Sequence, residues 1–293
     1  MANRQLAKAL EANPSATTAN KGWNMVGNLW LTYYNNHKLN FTAPITVWTG
    51  STYKAYSLID DDYALRPLEA FFVQCPDDVD VLSFPTEGRQ LTSVIESQNA
   101  ARSEQPATTR RYLVDLVLNE DSLADETRIV LNEQASLDYE PHCDAGKFMT
   151  LDAQTSQLWS VRQGISYAIN ERPFDDGVVR LGFTAAHDGQ YTIALKRNQA
   201  GTVILVDRLM GTKTDLSAGD YVFSADAGTT DVRFELHFDG NTVTGIAAET
   251  QSDQPAEVYT VDGRRIGLLP ANGQLPKGIY MLRRGNVTEK VRF

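Results

Sequence analysis

Glycine-bearing turns break the second half of this chain at short intervals, and that punctuation limits the fold more than any other feature. Asp176-Gly177, Asp188-Gly189, Ala200-Gly201, Met210-Gly211, Ala218-Gly219, Ala227-Gly228 and Asp239-Gly240 each offer a residue that tolerates positive φ, as a hairpin turn requires. The runs between such turns are short and have strand character: Tyr112–Leu118, Arg128–Leu131, Lys147–Leu151, Gln157–Val161, Val178–Phe183, Gln190–Leu195, Thr202–Val206, Tyr221–Ala225 and Val232–Phe238. From Val232 to Phe238 apolar and polar residues alternate strictly, so one face of that strand is buried and the other wet. This pattern predicts an antiparallel β-sandwich.

The rest of the chain divides around that block. Residues 1–20 are poor in large apolar groups and read as a leader or truncated edge, with one or two helical turns from Gln5 to Glu11 before Pro14 stops them. Residues 21–90 form a first β region, in which aromatic and β-branched runs such as Ile45-Thr46-Val47-Trp48 and Ala70-Phe71-Phe72-Val73 alternate with polar turns. Asp60-Asp61-Asp62 and Asp77-Asp78 fall in the gaps, where side-chain bonding to the backbone favours turns. Residues 91–110 lose any apolar period and read as a linker, 111–245 as the sandwich, and 246–293 as a C-terminal β tail. A length of 293 residues suits such a division into about two domains. The fold class expected is therefore all-β: antiparallel, jelly-roll-like sandwich modules with a small tail.

The tail carries two motifs in order, Val258-Tyr259-Thr260-Val261-Asp262-Gly263-Arg264-Arg265-Ile266 and Leu275-Pro276-Lys277-Gly278-Ile279-Tyr280-Met281-Leu282-Arg283, before the closing run Glu289–Phe293. It resembles the C-terminal sorting-type domains of secreted Bacteroidetes proteins, the Ig-like β tails associated with type IX secretion. Tyr259, Asp262, Gly263, Arg264, Gly278 and Tyr280 carry the match. Gly22–Asn28, Leu65–Val73, Asp144–Lys147, Ser166–Asn170 and Leu181–Phe183 similarly resemble segments of adhesin-like surface proteins of that phylum, of the Bacteroides and Prevotella type. The resemblance implies an extracellular or outer-membrane-surface protein, with the periplasm as the alternative address. It also implies a chain that begins after a removed leader, since the N-terminus lacks the apolar core of a secretory signal.

Composition narrows the partners. With 37 acidic and 27 basic residues the net charge is -10, which disfavours nucleic acid and anionic surfaces. No stretch approaches the apolar length of a membrane helix, so membrane insertion is not expected. Cys75 and Cys143 match no redox or zinc spacing, and they read as buried thiols or as one disulfide. His37, His142, His187 and His237 show no metalloenzyme spacing, and no nucleophile-elbow motif occurs, so no enzyme is expected. No cofactor is expected either; a structural calcium in an acidic loop is the alternative, with Asp144 the first carboxylate to watch. Aromatic residues offer the main binding hypothesis. Trp30, Tyr33 and Tyr34 are the candidate ligand-binding residues, because four consecutive side chains in Tyr33-Tyr34-Asn35-Asn36 cannot all face a core. Three roles stay open: adhesion through a glycan or a host surface protein, a carbohydrate-binding accessory of a secreted hydrolase, and a structural spacer that anchors the tail.

Overall fold

A computed structural model describes residues 6–11, 19–75, 81–95, 111–120, 123–150, 154–174, 177–238, 257–260, 264–268, 275–284 and 287–292. The chain is all-β, and among the described residues no α-helix occurs. In the first unit the strands are β1 (Leu6–Ala9), β2 (Trp23–Gly27), β3 (Tyr33–Asn35), β4 (Ile45–Trp48), β5 (Tyr53–Tyr56), β6 (Ala64–Leu65), β7 (Ala70–Gln74), β8 (Val81–Phe84) and β9 (Arg89–Gln90). They form an antiparallel sheet in the order β2-β7-β4-β5, a three-stranded sheet β6-β3-β9 and a β1-β8 pair. Alternation along the strands turns Val26, Ile45, Val47, Phe71 and Val73 into one core with Tyr34, Leu82 and Phe84. The helical turns expected from Gln5 onward are not formed: Leu6 to Ala9 pair with Phe84 to Val81, and Leu6 and Leu10 pack on that core. Pairing with β8 outweighs weak helix propensity there.

From residue 111 onward come β10 (Arg111–Glu120), β11 (Leu123–Asn132), β12 (Ala145–Gly146), β13 (Gln157–Arg162), β14 (Ile165–Arg172), β15 (Val178–Ala185), β16 (Gly189–Asn198), β17 (Val203–Asp207), β18 (Thr212–Asp215), β19 (Tyr221–Ala225) and β20 (Gly228–Phe238). They form one sheet ordered β18-β17-β20-β15-β13-β14-β11-β10-β16-β19, with β12 added on β14. All pairings are antiparallel except β11 with β14. As the alternation in the last of these strands predicts, Phe234, Leu236 and Phe238 face the core while Glu235 pairs outward with Arg208 and His237. The sheet nearly closes on itself like a barrel: the Thr212 and Tyr221 hydroxyls lie 3.2 Å apart across the gap between its two end strands, β18 and β19. Gly182 is required on β15 because the indole of Trp159, its cross-strand neighbour, lies where a Cβ would stand, at 2.3 Å. Lys147 to Thr150 carry no strand, against expectation, because Lys147 turns inward to a buried ion pair with Asp125.

The two units dock through charge. Arg111 donates to both oxygens of Asp60 (2.8 and 3.0 Å) and to both of Glu171 (3.2 and 2.7 Å). Arg128 grips Asp61 (2.7 and 2.8 Å) and Asp115 (2.6 and 3.0 Å) in the same two-sided way. The aspartates expected to be solvated turn residues, with calcium as the alternative, are therefore guanidinium ligands. Their turn character is also real, since Asp61 accepts from the Ser57 amide and Asp60 from the Ser57 hydroxyl. Thr52 adds a hydrogen bond to Asp125, and Tyr139 one to Gln74. Beside these, Phe148 wedges between Trp23, Tyr53 and Phe72 on the outer face of the β2-β7-β4-β5 sheet, with ring centroids 4.6, 5.6 and 5.0 Å away.

The tail is a separate antiparallel sheet of β21 (Glu257–Thr260), β22 (Arg265–Leu268), β23 (Ile279–Arg284) and β24 (Val287–Arg292), ordered β22-β21-β23-β24. Val258 and Leu282 pair across its centre and are buried.

Removing Arg128 leaves buried Asp115 and half-buried Asp61 with the longer contacts from Arg197, at 3.3 and 3.8 Å. Arg128→Leu is expected to cost about 3 to 5 kcal/mol, read from urea unfolding. Lys277→Ala, which removes an exposed partner of Asp188, is expected to leave the midpoint unchanged.

Candidate functional site

Asn28 organises the loop end of the first unit. Its side chain is buried: Nδ2 donates to the carbonyls of Thr32 (2.9 Å), Leu65 (3.3 Å) and Arg66 (2.9 Å), and Oδ1 accepts from the Trp30 amide (3.0 Å). Its own amide donates to the Glu69 carbonyl. One side chain thus knots the loop after β2 to the loop before β7. Within the second loop the Glu69 amide returns to the Arg66 carbonyl around Pro67-Leu68, and Leu68 takes φ +60. That is the position of a proline-led turn where glycine or asparagine is normal, and a left-handed leucine costs about 1 to 2 kcal/mol. The strained side chain is nevertheless 65% exposed. Leu29, at 40%, and Leu31, at 79%, stand on the first loop. Tyr33 pairs with Gln90, which brings the segment of Leu31 alongside that of Leu91, 90% exposed.

The candidate binding residues fall out unequally at this end. Trp30 is half-buried; its Nε1–H donates to the Phe84 carbonyl, and the Arg89 guanidinium lies 4.7 Å above its ring. Tyr33 is half-buried in β3. Tyr34 is corrected: it is a core residue rather than a surface platform, fully buried against Phe84 and Gly88, with its hydroxyl donating to the Lys38 and Pro85 carbonyls. The inward phase of Tyr33-Tyr34-Asn35-Asn36 falls on Tyr34 and Asn36. A second aromatic feature lies on the outer sheet face, where Trp48 is 45% exposed and tilts against Tyr53 at 4.9 Å.

Asp144 lies elsewhere, in the bend before β12. Its oxygens accept the amides of Glu140 (2.9 Å) and Glu171 (2.8 Å), and Arg162 Nη2 lies 3.8 Å away. Burial nevertheless dominates and pushes its carboxyl up to about 7. Among the described residues no group of three or more His, Cys, Asp or Glu is placed to hold a metal ion. Cys75 and Cys143 are both free thiols, and burial raises that of Cys143.

Distant sequence positions also bring a serine, an acid and a histidine together. Ser156 Oγ donates to Glu120 and accepts from the Ala186 amide, while His187 Nε2 lies 3.1 Å from the other Glu120 oxygen. The acid therefore sits between hydroxyl and imidazole, whereas activation of a nucleophile needs the imidazole in the middle. Wide separation at positions 120, 156 and 187 left no signal in the sequence.

In the tail, the Tyr259 hydroxyl donates to Glu257, and Tyr280 donates to the Pro276 carbonyl while its ring packs over Gly278. The Arg264 amide donates to Thr260 Oγ1. Asp262 and Gly263 lie outside the described residues.

Fold and site together define an all-β protein whose first unit is bolted to a nearly closed sheet and presents an apolar loop end. The family model described as "Domain of unknown function (DUF8693)" matches residues 24–238, and the chain belongs to that family. The matched span runs through both docked units and across the segment between them. No curated protein and no solved structure matches the chain.

Because the folded Asp144 carboxyl is raised, the folded state holds its proton more tightly than the unfolded chain. The stability this contributes is full below the unfolded value of 3.8 and is lost as pH rises through about 7. Asp144→Asn should remove that component, so urea midpoints of wild type and variant should converge or cross between pH 4 and pH 8, with the wild type losing ground as pH rises.

Proposed function

We propose that this is a non-catalytic, extracytoplasmic protein that acts in adhesion or ligand capture, and that it engages its target through the loop end of the first unit. The observation that carries this reading is Leu68, a strained left-handed leucine kept in solvent among Leu29, Leu31 and Leu91. Backbone strain combined with exposed apolar area is retained where contact with something outside the fold uses it. The reading gains support from the way Asn28 fixes the loops, since a preorganised surface loses less entropy on binding. The architecture is read as a jelly-roll-like sandwich followed by an Ig-like tail, and the tail's resemblance to sorting domains supplies the surface address, with a glycan or a host surface protein as partner.

A second reading has its own observation. The half-exposed indole of Trp48, braced by Tyr53, suits stacking on a sugar ring, which favours a carbohydrate-binding accessory of a secreted hydrolase.

Retention of purified protein on intact cells and on immobilised polysaccharides separates the two. The Leu31→Ser/Leu91→Ser double variant should lose most cell retention with an unchanged thermal midpoint, because both side chains stand in solvent. Polysaccharide binding that survives this variant and disappears with Trp48→Ala would instead establish the accessory role. Retention unaffected by either would refute both.

A further inference from the structure

We propose that Lys147 and Asp125 are joined covalently, their side chains condensing to an amide that cross-links β11 to the segment after β12. Lys147 Nζ lies 2.7 Å from Asp125 Oδ1 and 2.6 Å from Oδ2, and the two side chains are 0% and 1% exposed. An atom that close to both oxygens stands about 3 to 3.5 Å from the carbon between them, the separation at which an enclosed nucleophile and its target react as one molecule. A third contact, to the Glu126 carbonyl, is longer at 3.3 Å and leaves the nitrogen turned to the carboxyl.

The groups around the pair suit that step. Asp125 Oδ1 accepts from the Thr52 hydroxyl at 3.0 Å and Oδ2 from the Leu158 amide at 2.8 Å, so each oxygen has a fixed donor when negative charge gathers on it in the tetrahedral stage. The Nζ–Cγ bond forms and one Cγ–O bond breaks. Of the three ammonium hydrogens one stays on the amide nitrogen, and two leave with the oxygen as water. Charge and electrons balance within the pair, and no oxidant, reductant or other co-reactant is consumed. Oδ1 is the oxygen expelled, because the Thr52 hydroxyl can hand it a proton and recover one from the nitrogen, whereas the Leu158 amide holds Oδ2 as the amide oxygen. Burial favours the product: two charges that are costly to keep out of water disappear, and a site closed to solvent has no water to reverse the step.

The bond lies on the seam between the two units. Thr52 belongs to the turn between β4 and β5 of the first unit, so the donors to Asp125 are complete only once the units have docked. Lys147 precedes Phe148, the ring seated against Phe72 of that unit, and Asp125 shares β11 with Arg128. The cross-link therefore fastens Phe148 to the strand that carries one of the two clamping arginines. An ion pair at this place is lost when either group titrates; an amide is not.

Intact-mass spectrometry of the purified full chain under denaturing conditions tests the proposal. Wild type should be lighter than its sequence by the mass of one water. Its tryptic digest should contain one branched peptide in place of the separate peptides that carry Asp125 and Lys147, with no cleavage after Lys147. Asp125→Ala and Lys147→Arg should each show the full mass of the variant sequence, and the two wild-type readings decide the matter even where a variant does not fold. Wild type at its full sequence mass, with trypsin cutting after Lys147, overturns the cross-link and leaves a plain ion pair. A missing water that maps to other residues, or that persists in Lys147→Arg, overturns it equally.

Discussion

Two arginines hold the two units of this protein in one arrangement. Arg111 and Arg128 each spend one side of the guanidinium fork on an aspartate of the first unit and another on a carboxylate of the large sheet. Burying so many charges brings little net stability, because desolvation offsets most of the attraction. The gain is geometric. A planar fork satisfied on two edges tolerates no sliding, so Asp60-Asp61 can occupy one position against β10 and β11 and no other. That fixed position then places the outer face of the four-stranded sheet under Phe148, and Trp23, Tyr53 and Phe72 are left half-buried beneath it. The family span from residue 24 to 238 covers both units.

Much of the strand pattern was legible. Local alternation, as in Val232 to Phe238, survives folding because it is set by the side-chain period of the strand itself, and the turn glycines Gly177, Gly201 and Gly211 take the positive φ their positions suggest. What was not legible depended on partners far along the chain. Leu6 to Ala9 become a strand only because β8 offers a partner, Lys147 leaves the strand pattern because Asp125 lies within its reach, and Asp60-Asp61 look like any acidic turn until Arg111 and Arg128 arrive from fifty and more residues further along the chain. The parallel pairing of β11 with β14 belongs to the same class, being decided by where the chain returns and not by the residues paired.

The site divides along the same line. Trp30 and Tyr33 were singled out from aromatic density and lie half-buried, whereas Tyr34 was misplaced because density cannot assign phase within a pair of tyrosines when the strand has three residues. Leu68 was overlooked although a signal was present. In Arg66-Pro67-Leu68-Glu69 the proline announces a turn, and the next position in such a turn asks for glycine or asparagine. A leucine there is a local contradiction, and such contradictions mark places where selection acts on something other than the fold.

That strain can persist only because the loop end has no freedom to relax. Strands β2 and β7 join the docked end of the first unit, where Trp23 meets Phe148 and Gln74 meets Tyr139, to the loop end, where Asn28 and Glu69 close the knot. Five residues of strand carry this constraint over roughly 17 Å. To release Leu68 from its left-handed conformation the Arg66 to Glu69 turn would have to open, and Asn28 would then lose acceptors it holds while buried. The charge clamp at one end of the sheet and the strained leucine at the other are therefore parts of one mechanical element: the first supplies the rigidity, and the second is the exposed feature that only a rigid frame can maintain.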